Sequence, residues 1–418
     1  MQHNSFYCFK PDSSVLTGSN NIKVLHVIGR LSYGGLEGGV VKVVNNIRRD
    51  VFHPSLISLR GFDEQVRSAL RDDVEFAVVQ RKAGRDWGLV RKLANFFMQQ
   101  RADIVHSHNW ETWLYSFLAA RLAHVPVFIH GEHGLEAADL SERMHKRLFK
   151  IMLASQTDHF TTVSPDIAYR MAQQWRVNKK KITITPNGID RQRFCPPHLR
   201  EICKQNVGLP SDAFVIGTVA GRFTAVKDLP TLLRAFSLIH QHHPNAALVI
   251  VGEGDRHAQQ ALRQLATELD LSPALRIVKP TPQVEKYMQA FDVYANSSLY
   301  EGMSNTLLEA MGCGAAIVAT RAGGTPFIVK DRKHGLLVEP QSPEKLAQAI
   351  GELMTNPALR AMLSDSARRY VERHHCIETF VRKHEDLYAN FFSRNITNRK
   401  SVRPAQLSSR VSVPGFAF

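Results

Sequence analysis

Residues 291–319 read FDVYANSSLYEGMSNTLLEAMGCGAAIVA. Two short apolar runs, Phe291–Asn296 and Ala315–Ala319, flank a segment with helical periodicity. Short apolar runs that alternate with helical segments are typical of parallel strands joined by crossover helices. This stretch therefore predicts one strand-helix-strand unit of a parallel sheet.

The same alternation covers most of the chain, in two series. The first series predicts strands at Lys23–Ile28, Ser55–Leu59, Val74–Val79, Asp103–His108, Val125–Glu132, His159–Ser164 and Ile182–Pro186. The second adds Phe214–Ala220, Ala247–Gly252, Arg276–Lys279 and Gly335–Val338 to the two strands above. Turn-forming Asn187-Gly188 and Pro196-Pro197 lie between the series and indicate an interdomain connection. We therefore predict an α/β fold with two doubly wound domains, residues 22–198 and 199–376.

The two ends of the chain lack this alternation. Residues 1–21 are polar and contain no apolar core of a signal peptide, so we predict a flexible N-terminal extension. Residues 393–418 carry five basic and no acidic side chains and show no periodicity, which predicts a disordered basic tail.

Composition excludes several classes of protein. The chain has 418 residues, of which 44% are apolar and 22% charged, which suffices for two folded domains and does not fit wholesale disorder. No uninterrupted apolar run approaches the roughly 20 residues of a membrane-spanning helix. The five cysteines form no C-x-x-C pair, so neither a disulfide framework nor a zinc site is expected, and a reducing cytosol fits. The net charge of +15, of which residues 1–200 carry +10, leaves nucleic acid, an anionic membrane and a phosphorylated ligand open as partners.

Glycines and charged residues directly after the predicted strands are the first candidates for a binding site, because open parallel sheets bind ligands beyond the carboxyl ends of their strands. The glycine-rich segment 29–39, which includes Gly34 and Gly35, follows the first strand and precedes a helix. Glycine lets backbone amides approach a phosphate, and the helix dipole favours its negative charge. A tight strand-to-helix turn would give the same pattern.

Two further loops carry charge. Arg222 and Lys227 follow the first strand of the second domain and could clamp a diphosphate, although two cations on a loop are often only solvated. Glu301 and Glu309 lie before and within the helix that follows Asn296. A carboxylate on an apolar helix face is costly unless it meets hydroxyls or a cation, and a sugar hydroxyl is a natural partner.

Histidines gather at the ends of two strands of the first domain, at His106, His108, His130 and His133. Imidazoles there can donate to an oxygen or relay a proton, but single histidines are commonly structural. Histidine and glutamate together could also bind a metal. The chain contains neither an H-E-x-x-H motif nor a D-x-D pair, so metal dependence is not expected.

Together, these segments resemble glycosyltransferase family 4. The run from Asn296 to Gly314 is similar to the E-x7-E signature of that family, and the similarity extends from about Lys23 to Tyr388. The other matching segments stand in the order of the family: the Gly34-Gly35 loop, Thr185–Asp190, Gly221–Phe223 with Lys227, Val251–Gly254 and Ala322–Pro326. The segments Gly-Gly-Leu-Glu and His-Gly-Glu-His-Gly also resemble the corresponding sequences of transferases from bacterial exopolysaccharide clusters associated with exosortase-type sorting systems.

The resemblance implies a GT-B fold, in which two Rossmann-like domains face each other across a cleft. The N-terminal domain would bind the acceptor and the C-terminal domain a nucleotide sugar, linked to UDP or GDP. A helix at residues 377–392 would cross back to the N-terminal domain. The reaction implied is sugar transfer with retention of anomeric configuration, with no cofactor beyond the nucleotide-sugar substrate and no metal ion.

By the same resemblance, Arg222 and Lys227 would hold the donor diphosphate and stabilise it as the leaving group. Glu309 would accept hydrogen bonds from the ribose, and Glu301 would face the donor sugar. The active-site histidine would be His133 or His130, and we favour His133 because it precedes Gly134 in a His-Gly turn like that of the family. The remaining donor contacts are expected from Gly34, Gly35, Gly254, Lys279, Gly302, Met303 and Ser304.

The acceptors implied are lipid-linked or other oligosaccharides at the inner face of the cytoplasmic membrane. Residues 142–153 fit a basic amphipathic helix for docking to anionic lipid, although a packed helix with a solvated face has the same pattern. Its basic side contains Arg143, Lys146, Arg147 and Lys150, and its apolar side Met144, Leu148, Ile151 and Met152. We therefore expect a cytoplasmic protein that is peripheral on the membrane.

Nucleic acid is not expected as a partner, since no nucleic-acid-binding motif occurs. A nucleotide-sugar epimerase of the same fold is the alternative function.

Overall fold

Two sheets, one in each half of the chain, organise the molecule. The computed structural model describes residues 6–9, 21–134 and 144–401. In this part of the chain the N-terminal sheet has eight strands: β1 (Phe6–Phe9), β2 (Ile22–Ile28), β3 (Phe52–Ser58), β4 (Glu75–Val79), β5 (Ile104–His108), β6 (Val127–Glu132), β7 (His159–Thr162) and β8 (Ile182–Ile184). Their order is β1-β4-β3-β2-β5-β6-β7-β8, and only the β1–β4 pair is antiparallel.

The second sheet is parallel throughout. Over the described residues its strands are β9 (Phe214–Arg222), β10 (Ala246–Glu253), β11 (Leu275–Val278), β12 (Val293–Asn296), β13 (Ala316–Thr320) and β14 (Leu336–Val338). Their order is β11-β10-β9-β12-β13-β14. The order reverses between β9 and β12 here and between β2 and β5 in the first sheet, so each domain has a switch point at which loops diverge and a ligand can enter.

Helices connect the strands. In the N-terminal domain they are α1 (Gly35–Asn46), α2 (Glu64–Arg67), α3 (Gly88–Gln100), α4 (Trp110–Leu122), α5 (Met144–Gln156) and α6 (Pro165–Gln174). The later helices are α7 (Arg200–Asn206), α8 (Leu229–His240), α9 (Arg256–Glu268), α10 (Val284–Ala290), α11 (Asn305–Gly312), α12 (Thr325–Ile328), α13 (Pro343–Thr355), α14 (Pro357–His374) and α15 (Ile377–Ser401). No helix of the described residues is both long enough and apolar enough to span a bilayer.

The predicted α/β class with two doubly wound sheets is confirmed, and every predicted strand occurs with its ends displaced by at most three residues. Two predictions about the ends were wrong. Phe6–Phe9, inside the extension predicted to be flexible, pairs with β4, whose outer edge would otherwise lack backbone partners. The helix predicted to end at residue 392 continues to Ser401, because this run contains neither Pro nor Gly to interrupt it. The rest of the predicted extension and tail, residues 1–5, 10–20 and 402–418, lies outside the described residues.

The last helix returns to the N-terminal domain. Phe380, Val381 and Tyr388 of α15 are buried in one cluster with residues of β2, α1, β3, β5 and β6. The chain thus crosses between the domains twice, and the two crossing segments are hydrogen-bonded to each other. The amide of Ile189 donates to the carbonyl of His375 (2.8 Å), and the amide of Ile377 donates to the carbonyl of Ile189 (3.0 Å).

Candidate active site

An ion pair lies on the C-terminal domain's side of the cleft, at the switch point of the second sheet. Lys227 follows β9 and Glu301 follows β12, and Lys227 Nζ lies 2.7 Å from Glu301 Oε1. The hydroxyl of Ser298 donates to the same carboxylate oxygen (2.7 Å). The Glu301 side chain is 11% exposed and that of Lys227 25%, so the lysine remains accessible to a ligand in the cleft.

Arg222 ends β9, and its exposed side chain makes no ion pair or hydrogen bond with the described residues. Its charge acts on Glu37 on the first turn of α1, in the opposite domain: burial raises the pKa of the Glu37 carboxyl, and Arg222 partly offsets this effect. The guanidinium is therefore an exposed cation within electrostatic range of the opposite domain.

Two helix N-termini meet between the domains. Gly34 caps α1 in an extended conformation, and Asn305, the first residue of α11, donates from Nδ2 to the carbonyl of Gly35 (2.8 Å). Ser304 caps α11 and accepts from the amide of Leu307 (3.4 Å). Helix N-termini carry partial positive charge and free amides, so this junction favours an anion.

The loop before α11 is held tightly by both domains. A Cβ on Gly302 would lie 2.4 Å from the carbonyl oxygen of His133, so only glycine fits there. The buried Met303 accepts from Asn187 of the interdomain connection, at Sδ (3.2 Å) and at its carbonyl (3.3 Å). Gly324 donates to the carbonyl of Glu301 (2.7 Å). The Met303 side chain is thus part of the domain interface.

Glu309 meets a cation that the sequence did not reveal. Its Oε1 lies 3.7 Å from Lys42 Nζ of α1, and Lys42 also donates to the carbonyl of Gly188 (2.9 Å). Burial raises the pKa of Glu309, and Lys42 opposes the shift. Lys42 lies on a helix with an ordinary pattern, and its contact depends on how the two domains meet, so no local signal could have found it.

Tyr300 makes a second interdomain contact that the sequence did not predict. Its hydroxyl donates to Asp166 Oδ2 on α6 (2.7 Å), and Asp166 also accepts from Arg170 (3.0 Å). The Arg170 guanidinium lies 5.1 Å from the Tyr300 ring centroid. Burial and the bond to Asp166 raise the pKa of Tyr300. The residue directly before Glu301 is thereby fixed to the N-terminal domain.

The two candidate histidines have different surroundings. His133 follows β6, contacts the Gly302 loop through its carbonyl, and bonds from Nε2 to Nδ1 of His108 (2.9 Å). His130 is fully buried, stacks on Trp113 at 4.2 Å between ring centroids, and bonds from Nδ1 to the hydroxyl of Ser107 (2.9 Å). His130 therefore points into the helix layer, and His133 lies at the cleft.

Gly254 follows β10, a direct neighbour of β9, and Lys279 follows β11, which lies beyond β10 in the sheet. Gly254 packs against Phe223, since a Cβ there would lie 2.9 Å from that of Phe223. Lys279 is exposed. Both lie at the sheet edge that carries Arg222, farther from the interdomain junction.

The orientation predicted for α5 was wrong. Lys150 is buried, with its ammonium 4.6 Å from the Trp175 ring centroid and 5.0 Å from that of Trp110, and Arg147 donates to the carbonyl of Gln174 (3.0 Å). The exposed side chains are instead Met144 (66%), Leu148 (59%) and Met152 (51%). The basic side faces inward because aromatic rings accept ammonium groups on their faces. Arg143 lies outside the described residues.

Two family models match the chain, and they meet near the interdomain connection. The model described as Glycosyltransferase Family 4 matches residues 33–193, and that described as Glycosyl transferases group 1 matches residues 200–370. A relative is the D-inositol 3-phosphate glycosyltransferase of Corynebacterium jeikeium, 29% identical over 371 residues, which are 80% of this chain and 86% of the relative. Another is the UDP-Gal:alpha-D-GlcNAc-diphosphoundecaprenol alpha-1,3-galactosyltransferase of Escherichia coli, 26% identical over 310 residues (73% of this chain, 79% of the relative).

Solved structures agree in fold. Anabaena HepE in complex with UDP-glucose superposes with a TM-score of 0.78 at 18% identity, covering 88% of this chain and 100% of HepE. The lipopolysaccharide glycosyltransferase WaaG gives a TM-score of 0.71 at 17% identity, covering 87% of this chain and 99% of WaaG. With both halves matched by family models and the fold shared, the chain belongs to glycosyltransferase family 4 and is a sugar-transferring enzyme with a GT-B fold.

Proposed function

We propose that the enzyme transfers a sugar, with retention of configuration, from a UDP- or GDP-sugar to a lipid-linked saccharide, in bacterial exopolysaccharide or cell-surface glycan synthesis. The observation that carries the proposal is the meeting of the α1 and α11 N-termini beside Arg222 and Lys227. Helix N-termini and basic side chains of this kind suit a diphosphate without a metal ion.

The leaving group is a nucleoside diphosphate, on which negative charge builds as the bond to the anomeric carbon breaks. A diphosphate would compete with Glu301 for Lys227, while Ser298 continues to hold the glutamate. The side chain of Arg222, which makes no hydrogen bond or ion pair with the described residues, can turn to the phosphates without breaking one. Fixed donors aimed at developing charge lower the barrier most when they need no rearrangement.

Glu309 and His133 are proposed to hold the two ends of the donor. Glu309 would accept from the ribose hydroxyls in exchange for its long contact with Lys42 (3.7 Å). Burial lowers the pKa of His133, so the ring is neutral at physiological pH and acts through hydrogen bonding. Its Nε2 is bonded to His108, which leaves Nδ1 for the donor sugar.

The lipid-linked acceptor is supported by the name of the Escherichia coli relative, which acts on a diphosphoundecaprenol-linked sugar. We infer peripheral binding to an anionic membrane through α5, whose outward stripe Met144, Leu148 and Met152 recurs every four residues. Lys181 donates to the carbonyls of Ser155 and Thr157 near the end of this helix, and the exposed Lys179 and Lys180 precede it. An apolar stripe beside lysines fits a membrane surface.

A thermal-shift screen with UDP, GDP, ADP and their sugars tests the donor proposal. One uridine or guanosine donor should stabilise the protein, by about 2.7 kcal/mol at a hundredfold excess over Kd. Lys227→Ala should abolish this gain, while Lys345→Ala, an exposed lysine on α13, should keep it. No stabilisation by any nucleotide would refute the proposal.

Release of nucleoside diphosphate only when a saccharide acceptor is added would then identify a transferase. An epimerase would interconvert the donor without an acceptor, and the relatives named above give that alternative no support. The anomeric configuration of the product, read by NMR, tests retention.

A further inference from the structure

A chain of hydrogen bonds runs from His133 through the N-terminal domain to the last helix. The bonds are His133 Nε2 to His108 Nδ1 (2.9 Å), His108 Nε2 to His26 Nδ1 (3.0 Å), His26 Nε2 to the Tyr388 hydroxyl (3.4 Å), that hydroxyl to His106 Nδ1 (2.8 Å), and His106 Nε2 to the Thr161 hydroxyl (2.9 Å). All members except His133 are buried.

The sheet register places these side chains on one face. His26 on β2 is the register partner of His106 on β5, and His108 follows two residues later on the same face. Thr161 lies on β7, and Tyr388 covers this face from α15. Gly131 leaves the necessary room, since a Cβ there would lie 2.9 Å from His108 Nδ1 and 3.0 Å from His133 Nε2.

Neutral imidazole has one N–H donor and one acceptor nitrogen. Burial lowers the pKa of His26 to about 3, and those of His106 and His108 well below their ordinary value, so these rings are neutral at physiological pH. Within the chain each ring nitrogen has one partner, so His133, His108 and His26, which are bonded nitrogen to nitrogen, form both of their bonds only if all three donate in the same direction. One tautomer therefore dictates the others.

The Tyr388 hydroxyl sets that direction. It lies 2.8 Å from His106 Nδ1 but 3.4 Å from His26 Nε2, so its proton belongs to the shorter contact. Tyr388 must then accept from His26 Nε2–H, His26 from His108 Nε2–H, and His108 from His133 Nε2–H. This leaves a lone pair on Nδ1 of His133, the nitrogen available to the cleft.

We propose that Tyr388 and Thr161 are positioning residues for His133, which fix it as the Nε2–H tautomer so that Nδ1 accepts a hydrogen bond from a hydroxyl of the donor sugar. This inference rests on the sugar contact proposed above for His133. It links the helix that crosses back from the second domain to the tautomer of an active-site ring.

A metal ion is the competing explanation of the cluster. Among the described residues, His26, His106 and His108 could offer ring nitrogens within 4.8 Å of one another. The hydrogen bonds already use both nitrogens of each ring, and the His26 and His108 rings are nearly parallel (4°) with their nitrogens 3.0 Å apart. Such edge-to-edge contact fits an N–H···N bond and leaves no lone pair unpaired.

Tyr388→Phe provides the sharpest perturbation. It removes one oxygen and would leave the His26 Nε2–H buried without an acceptor, which costs about 1–3 kcal/mol. The chain avoids this cost if His26, His108 and His133 all invert to Nδ1–H tautomers. Thr161→Val, at the far end, should invert the chain for the same reason.

Long-range ¹H–¹⁵N spectra of the full-length, ¹⁵N-histidine-labelled protein without donor report each tautomer directly. We expect Nε2–H at His133 in the wild type and Nδ1–H in both variants. Tyr115→Phe is the control, because it removes the hydroxyl of a buried tyrosine in the same domain that accepts from the Asp86 amide (3.2 Å) and is not part of the histidine chain. Unchanged tautomers in both variants, or zinc, nickel or copper retained in stoichiometric amount by the purified protein, would overturn the proposal.

Kinetics give the functional readout. Tyr388→Phe should lower kcat about three- to tenfold, the equivalent of one hydrogen bond, and Tyr115→Phe should not. Inverted tautomers with an unchanged rate would refute the positioning role. Absence of any nucleotide binding or transfer by the wild type would instead refute the proposed function, while the tautomer measurement would stand by itself.

Discussion

Acidification from pH 7.0 to 5.5 is expected to destabilise the N-terminal domain steeply. Burial lowers the pKa of His26 to about 3 and that of His384 to about 4, and it lowers those of His106 and His108 strongly. In the unfolded chain each would titrate near 6.5. Below that pH the unfolded chain binds protons that the folded domain rejects, so stability present at neutral pH is lost as the pH falls toward the folded pKa values.

The magnitude follows from this linkage. His26, His133 and His384, whose folded pKa values lie between about 3 and 4, each cost about 1.2 kcal/mol between pH 7.0 and 5.5, or about 4 kcal/mol together, and the buried His106 and His108 add to this loss. That is most of the stability of a marginal domain. The histidines disfavour each other's protonation, and Lys383 adds to the effect at His384. His130 is left out of the sum because Glu132 lies 3.9 Å from its Nε2 and would stabilise the charged form.

Tryptophan fluorescence measures this domain selectively, because all four tryptophans, at 87, 110, 113 and 175, lie in it. Urea unfolding at the two pH values should give a difference of at least about 4 kcal/mol in the wild type, and His384→Gln should reduce it by about 1.2 kcal/mol. His242→Gln, an exposed histidine of the other domain, is the matched control and should change nothing. A wild-type difference below about 2 kcal/mol would refute the assignment of buried neutral rings.

The other predictions concern the cleft and the membrane surface. Lys227→Ala and Glu309→Ala should each lower kcat at least a hundredfold in a nucleoside diphosphate release assay while circular dichroism stays unchanged; wild-type rates would refute the donor contacts. Dialysis against EDTA should leave the rate unaltered, and loss of activity restored by one divalent metal would contradict metal-independent transfer. Gly302→Ala should impair turnover, because its Cβ would clash with the carbonyl of His133, and a normal rate would mean that this loop adjusts freely. Leu148→Glu should weaken sedimentation with anionic vesicles, whereas Met362→Glu, equally exposed in the second domain, should not; equal binding by both variants would exclude α5 as the docking surface.

The parts of the fold that were predictable are those with local causes. Strands such as Phe214–Arg222 are runs of apolar residues, and burial on both faces of a parallel sheet requires that pattern. Their ends shifted by a few residues because the register with neighbours, and not the apolar pattern, determines where pairing stops. The strand Phe6–Phe9 was missed because four residues carry little pattern and its partner lies about 70 positions away.

The same distinction between local and long-range causes applies to the residues of the site. Arg222, Lys227 and Glu301 were predictable because strand ends and motif order fixed their position along the chain. Lys42 and Tyr300 were not, since their partners lie across the domain interface. The predicted orientation of α5 was wrong for a related reason. Amphipathicity shows that a helix has two faces, but it does not show which one is buried. The basic face is the inner one because Lys150 packs on the rings of Trp110 and Trp175.

The arrangement of the anion site has a consequence for how the enzyme works. Arg222 and the α11 N-terminus belong to the second domain, whereas the α1 N-terminus belongs to the first, and the bond from Asn305 to Gly35 joins the two halves. A diphosphate bound there, as proposed above, would contact both domains, so part of its binding energy would hold the domains together and exclude water from the reacting bond. On this proposal, donor binding would favour closing of the cleft, while the proposed membrane surface on α5 lies on one domain only and need not move when the other does.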